Sequence, residues 1–269
     1  MGGPHNSRRS VAVARAIAKR RSLILLYHGL GEPGAGNDPS FLQVPPQVFR
    51  AQLETLLEAG FKLLSVSELA RLAGDGDPPP GFAALSFDDG MEDNHSVLLP
   101  VLGEYGLTAT IYVQTGTIGD PNPWMPGARV RMMTEDEIRS VSAAGVEIGA
   151  HSVTHPDMSR LDYDGCLGEM TRSKDELERI TGTEVRTFAY PYGHYGPEAV
   201  AAARDAGFET AVTCVRRGSW SPFELNRTLV TGRDGLGTFM LRIAGVYEPL
   251  ALGPAGAVVG RLKRTLRRR

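Results

Sequence analysis

Cysteine is nearly absent: Cys166 and Cys214 are the only two in 269 residues. They match no metal-ligand spacing and cannot frame a disulfide scaffold, so they read as buried or idle thiols. Long apolar runs are missing too. Val11-Ala12-Val13-Ala14 is cut by Arg15 and followed by Lys19-Arg20-Arg21, which leaves no apolar core of about 7–15 residues for an export signal. No segment reaches the length of a transmembrane helix. These absences point to the cytoplasm, or to export if the natural amino terminus lies upstream. Acidic residues are missing from both ends: residues 1–21 carry Arg8, Arg9, Arg15, Lys19, Arg20 and Arg21, and residues 261–269 carry six more cations, with no Asp or Glu in either. Taking these twelve from the 29 Lys and Arg leaves the body, with its 31 acids, about 14 charges negative. Such a body argues against nucleic acid as the main partner. The basic ends read as solvated tails or as a weak contact with an anionic membrane surface.

What is present is a regular alternation. Leu23–Tyr27 reads as a buried strand that reaches His28 and stops at a glycine-rich loop. Pro45-Pro46 opens a helix with Phe49, Leu53, Leu56 and Leu57 at helical spacing, closed by Gly60. A short segment over 63–72 carries Ser67 as a candidate cap. The strand 82–87 runs directly into Asp88-Asp89-Gly90. Helices over 93–105, 134–144, 164–181 and 197–206 then alternate with strands over 109–113, 146–150, 187–189 and 210–214, and a last strand lies near 226–231. This order predicts an α/β fold with a largely parallel sheet of about seven strands closed into a barrel. The expected organisation is a basic segment over 1–21, one domain over 22–248 and a basic tail over 249–269. The polar residues of interest sit where strands end, the place barrel enzymes put their active sites.

Adjacent carboxylates after an apolar strand, Asp88 and Asp89, are costly unless a cation holds at least one of them; Asp-Asp-Gly is also a common turn. Side chains alternate along a strand, so the two carboxylates point in different directions and suit different roles. That weakens a retaining-glycosidase reading, which needs two carboxyl groups facing each other roughly 5 Å apart. His151 and His155 follow another strand in His-Ser-Val-Thr-His. No Glu follows His151, and Pro156 disfavours a continuing helix, so a strand-end loop suits them better than a helical zinc motif. Two imidazoles and one carboxylate form a three-ligand set that leaves a position open for water, the arrangement of a catalytic metal.

Together, Leu85-Ser86-Phe87-Asp88-Asp89-Gly90, His151-Ser-Val-Thr-His155 and Phe188-Ala189-Tyr190-Pro191-Tyr192-Gly193 resemble, in the same order, the polysaccharide deacetylase series (NodB homology, carbohydrate esterase family 4). The similarity extends over most of 23–245. Leu26-Tyr27-His28 is similar to the start of the subgroup that deacetylates poly-N-acetylglucosamine. The resemblance implies a distorted (β/α) barrel and metal-dependent removal of N-acetyl groups from an N-acetylated glycan or sugar. Carried over by position, it makes Asp88 the general base and Asp89, His151 and His155 the metal ligands. It also places the backbone N–H of Tyr192 in the oxyanion hole and makes His28 the general acid. Zinc suits the ligands, and cobalt, nickel or iron would fit them too. Where many members have an arginine before the Pro-Tyr motif, this chain has Phe188-Ala189-Tyr190. Arg227 is the candidate to orient Asp88, since the subgroup has a similar arginine there; a surface salt bridge is the plainer reading of it. His95 reads as solvent-facing and His194 as lining the mouth. Trp220 and Trp124 are loop aromatics that either stack on a sugar or anchor the loop. Two other functions remain open: an amidase or esterase for a small non-sugar acyl compound, and a non-catalytic carbohydrate-binding relic.

Overall fold

A computed structural model of the chain describes residues 4–32, 41–74, 76–121, 130–214 and 220–247. In chain order the elements are α1 (Pro4–Ala18), β1 (Leu23–Tyr27), α2 (Pro46–Ala59), β2 (Lys62–Leu64), α3 (Val66–Ala73), β3 (Phe82–Phe87), α4 (Leu99–Tyr105) and β4 (Thr110–Val113). There follow α5 (Glu135–Ala143), β5 (Glu147–Ala150), α6 (Tyr163–Thr181), β6 (Thr187–Ala189), α7 (Pro197–Asp205), β7 (Thr210–Thr213), β8 (Leu225–Asn226), β9 (Thr228–Leu229) and α8 (Leu236–Ile243). One turn of π-helix, Asn94–Leu98, leads into α4.

All strand pairings are parallel, in the order β8-β7-β6-β5-β4-β3-β1-β9, with β2 added at the start of β3. β8 and β9 are the two halves of one stretch, parted only at Arg227. β8 pairs with β7 through Leu225 and Asn226, and β9 with β1 through Thr228 and Leu229. The break therefore closes the sheet into the distorted NodB-like barrel, with seven staves counting that stretch as one.

Strand alternation sorts the core into two layers. Leu23, Leu25 and Tyr27, with Ala83, Leu85 and Phe87, face outward and join the helices in the main core. Ile24, Ala84, Tyr112, Ala189, Val212 and Leu225 face inward, capped by Val66 and Leu69 of α3. Gly149 belongs to the inward set: a β-carbon there would meet the Tyr112 ring at 2.5 Å and Thr187 at 3.0 Å. Only glycine lets the Tyr112 ring fill the barrel and its hydroxyl hydrogen-bond Thr187 at 2.8 Å.

The structure adjusts several expectations. The cap of the short segment is Ser65, not Ser67: Ser65 Oγ accepts from the Glu68 N–H while the Glu68 carboxylate accepts from the Ser65 N–H. This capping box became visible only once β2 had claimed residues 62–64 and moved the helix start to Val66. The basic segment over 1–21 is largely helix: α1 buries Ala14, Ile17 and Ala18 against α2 and α8. Its apolar stripe is built mostly of alanine, too small to stand out among arginines. Arg9, Lys19 and Arg20 stay at its surface. Among the described residues, no helix is long and apolar enough to cross a membrane. The tail over 249–269 and Trp124 lie outside the described residues. Trp220 packs on the inward apolar cluster, an anchoring contact.

Candidate active site

Inward parity carries past the strand ends and delivers the polar residues to one place. Ala84 and Ser86 face into the barrel, and Asp88 follows them; His28 continues β1 and His151 continues β5 in the same sense, and Arg227 follows Leu225. Asp88, Asp89, His151, His155 and Arg227 are all buried.

Two carboxylates, two roles is what the geometry supports. Asp89 takes φ +74°, so the chain turns as it leaves β3 and the second carboxylate swings away from the first. Asp89 Oδ1 then lies 3.6 Å from His151 Nε2 and 3.7 Å from His155 Nε2, which are themselves 3.2 Å apart. Ligand atoms about 2.0–2.2 Å from a tetrahedral ion lie about 3.3–3.6 Å from one another, so this triangle has the dimensions of a metal site. The protonation pattern agrees. His151 Nδ1 donates to the Ala189 carbonyl at 2.8 Å, which fixes the tautomer and leaves the Nε2 lone pair facing the triangle. Burial, followed by the neighbouring His151, pushes the His155 pKa down to about 4, so His155 stays neutral at physiological pH, the form that can bind a metal. Three acceptors aimed at one point repel unless a cation sits among them.

Asp88 faces a different partner. Burial alone would raise its pKa, but the Arg227 guanidinium, with His151 and His28 contributing, holds it down at about 2. Arg227 Nη1 and Nη2 donate to the two Asp88 oxygens at 2.6 and 2.7 Å, the forked geometry that makes arginine the strong carboxylate partner. Nε of Arg227 donates to the Thr213 carbonyl at 3.3 Å, Nη1 also reaches Ser86 Oγ at 3.3 Å, and the guanidinium lies 5.5 Å from the centre of the Tyr112 ring. The surface salt-bridge reading of Arg227 is thereby excluded, since its side chain is fully buried. The side chain at the β8–β9 break both closes the barrel and clamps Asp88.

His28 is half-buried and faces the group formed by Asp88 and His155. Its Nδ1 is buried without a hydrogen-bond partner among the described residues, while its carbonyl accepts from Asn94 Nδ2 at 3.0 Å. Asn94 Nδ2 also donates to Asp93 Oδ1 at 3.0 Å. Burial pushes the Asp93 pKa up to about 6, against hydrogen bonds from Leu30 N–H and Gln43. A carboxyl whose folded pKa is raised stabilises the fold below its unfolded pKa near 4, and that contribution is lost as pH rises through about 6. Asp93→Asn is therefore expected to gain on the wild type by on the order of 1–2 kcal/mol between pH 4.5 and 7.5. Denaturant melts at the two pH values check this; equal differences at both would place the charge elsewhere.

Tyr192, with φ +59°, sets its ring edge-on to His155 at 4.6 Å and remains 53% exposed. Its ring lies 6.1 Å from that of the exposed His194, whose Nδ1 pairs with Asp157 at 3.2 Å. Asp89, Ser152, His155 and Tyr192 account for four of the five non-glycine residues with positive φ among those described. Such conformations cost on the order of 1–3 kcal/mol each and concentrate at working sites. In a second group of potential ligands, Glu92, His95 and Glu137, Glu137 is already paired with Arg131, which forks onto it at 2.7 and 2.8 Å and lies 3.6 Å from Glu92.

Some site residues were invisible in the sequence. Glu169, one of several acids on α6, is buried against the His151–His155 turn; Ser152 Oγ accepts from the His155 N–H at 3.0 Å. Cys214 lies 3.8 Å from Arg227 Nη2, and burial pushes its thiol pKa up; burial likewise pushes Cys166 to about 11. Both cysteines are free and sit as neutral thiols.

Comparison with known proteins shows the family. The family model for polysaccharide deacetylase matches residues 75–211. The putative polysaccharide deacetylase YxkH of Bacillus subtilis is 29% identical over 191 residues, 71% of this chain and 63% of its own. The chain spans less than two thirds of the length of the first curated relatives it matches. The Streptococcus pyogenes deacetylase PplD, solved in complex with acetate, superposes with a TM-score of 0.70 at 26% identity, covering 83% of this chain and 98% of PplD. IcaB from Ammonifex degensii shares the fold at a TM-score of 0.70 and 22% identity, over 84% of this chain and 97% of its own. Because the matched family model takes in the Asp88-Asp89 turn, the His151–His155 turn and the Pro191-Tyr192-Gly193 turn, this chain belongs to the polysaccharide deacetylase family.

Proposed function

We propose that this protein is a metal-dependent N-deacetylase of N-acetylglucosamine-type sugars or polysaccharide. The observation that carries the reading is the pairing of an open three-atom ligand triangle, Asp89, His151 and His155, with a separate ionised carboxylate, Asp88, locked by Arg227. The acetate in the PplD complex supports acetyl chemistry on this fold.

An amide is a poor electrophile and its amine a poor leaving group, so hydrolysis needs an activated water, a stabilised oxyanion and a proton donor. A divalent ion, with zinc the first choice and cobalt, nickel or iron alternatives, supplies Lewis acidity and lowers the pKa of water when held by Asp89, His151 and His155. Asp88 accepts the proton of the attacking water as the new C–O bond forms. The Tyr192 N–H donates to the oxygen that becomes negative. His28 delivers a proton to the sugar nitrogen as the C–N bond breaks, releasing acetate and a free amine. Arg227 keeps both Asp88 oxygens ionised and fixed, so that the carboxylate costs no reorganisation when it is used.

Acetate release from N-acetylglucosamine oligomers of increasing length, assayed beside simple acetamides and acetyl esters on protein of known metal content, tests the reading. The expected result is metal-dependent release that rises with oligomer length. Faster turnover of the small acyl compounds would make the protein a small-molecule amidase or esterase. No release from any glycan would make it a binding relic.

A further inference from the structure

The ligand pair depends on a turn that its own sequence does not hold. Between His151 and His155 the chain reverses through Ser152 at φ +63° and enters His155 at φ +57°. Neither serine nor histidine favours that region, so the surroundings must enforce it.

Two walls do so. The segment after β4 takes the carbonyls: Thr115 N–H donates to Ser152 O at 3.1 Å, and Gly116 N–H and Gln114 Nε2 donate to Val153 O at 2.9 and 3.1 Å. Gly116 must lack a side chain, because a β-carbon would lie 2.3 Å from that oxygen. The amides point the other way. Val153 and Thr154 N–H both donate to Glu169 Oε2 at 2.8 Å, and the Thr154 hydroxyl donates to Oε1 at 3.1 Å. Consecutive N–H groups converging on one oxygen form a concavity suited to an anion. Glu169 fills it from α6, where it is 8% exposed within the buried stripe of Cys166, Met170, Ser173, Leu177 and Ile180. A carboxylate in such a stripe is unfavourable unless hydrogen bonds repay the desolvation; here the turn supplies those from Val153 and Thr154, and Arg172 Nη2, one turn along α6, donates to Oε1 at 3.2 Å.

We propose that Glu169 is a positioning residue: its carboxylate fixes the 152–154 turn so that His155 Nε2 meets His151 Nε2 and Asp89 Oδ1, and thereby sets metal affinity without touching the metal. This rests on the ligand assignment given above. Outer-shell partners of this kind change metal affinity by about 10–100-fold when removed.

The test measures metal binding rather than turnover. Metal-free wild type, Glu169→Ala, Glu169→Gln, His155→Ala and Leu177→Ala are titrated with Zn²⁺ against a chromophoric chelator, and the Co²⁺ forms are compared by visible absorption. Glu169→Ala is expected to bind Zn²⁺ about 10–100-fold more weakly, with altered Co²⁺ bands. Glu169→Gln should stay within about threefold of wild type, since its amide oxygen still accepts both N–H groups, its NH₂ can donate to Thr154, and Arg172, 66% exposed, can turn from that NH₂ into solvent. Leu177→Ala removes a buried side chain two turns further along α6; it should lower the melting temperature and leave affinity unchanged, which separates packing from positioning. If Glu169→Ala does not fold, Glu169→Asp, one methylene short, replaces it with the same expected loss. Wild-type affinity in Glu169→Ala, with His155→Ala unable to bind, overturns the positioning role alone. Wild-type affinity in both overturns the ligand assignment instead.

Discussion

Asp88→Asn is expected to lower turnover by about 10²–10⁴-fold, the usual loss when a positioned general base is removed, while metal content stays that of the wild type. The two halves of this result come from separate geometry. Asp88 takes no part in the ligand triangle, whose three edges run among Asp89, His151 and His155. What Asp88 does hold is Arg227, at 2.6 and 2.7 Å. An asparagine keeps one oxygen for one of those donors and turns its NH₂ against the other. The guanidinium side chain is fully buried, and leaving a buried charge without its partner costs about 3–5 kcal/mol. The variant should therefore also melt earlier, by less than that full penalty because one hydrogen bond survives. Metal analysis, acetate release and a thermal melt on the same preparation check all three points. A variant that lost its metal along with its activity would show that base and ligand had been assigned to the wrong members of the Asp88-Asp89 pair.

Asp89→Ala and His155→Ala should each abolish both metal retention and turnover. The triangle offers three atoms, and two are too few to hold a divalent ion against solvent. Affinity should fall beyond the 10–100-fold seen for outer-shell partners, and the consequence is readable without any substrate. A ligand that binds only the folded state stabilises it by about 2.7 kcal/mol at one hundred times its Kd. Metal added to the metal-free wild type at that level should raise its melting temperature, whereas the two variants should not respond. An undiminished thermal response in both would mean that the ion sits elsewhere.

The proposed ligands and the proposed base were legible because each stands next to a strand end in a short, unusual string: Asp88-Asp89-Gly90, His151 to His155, Tyr190 to Gly193. Strand ends are marked by local hydrophobic patterning, and parity along a strand is a property of the chain itself. The helices with strong apolar stripes were legible for the same reason. α1 was not, since alanine carries little of that signal, and α8 follows the last expected strand without a marker. Arg227 could be placed on the final strand and, by resemblance, named the candidate to orient Asp88, but a surface salt bridge stayed open, because its burial depends on Asp88, 139 residues earlier. Glu169 is one acid among several on a long helix, and only its burial against Val153 and Thr154 sets it apart.

By itself, then, the sequence determined an alternating α/β chain with its reactive residues at strand ends and an acidic body between basic termini. Tertiary structure alone decided that one strand, split at Arg227, closes the ring, and that this arginine is a buried clamp rather than a surface charge. It alone decided that a glutamate from α6 holds the turn between His151 and His155. The reason is physical: hydrophobic period and strand parity are written in neighbouring residues, whereas the partner of a buried charge is chosen by closure of the barrel, which brings together residues far apart in the chain.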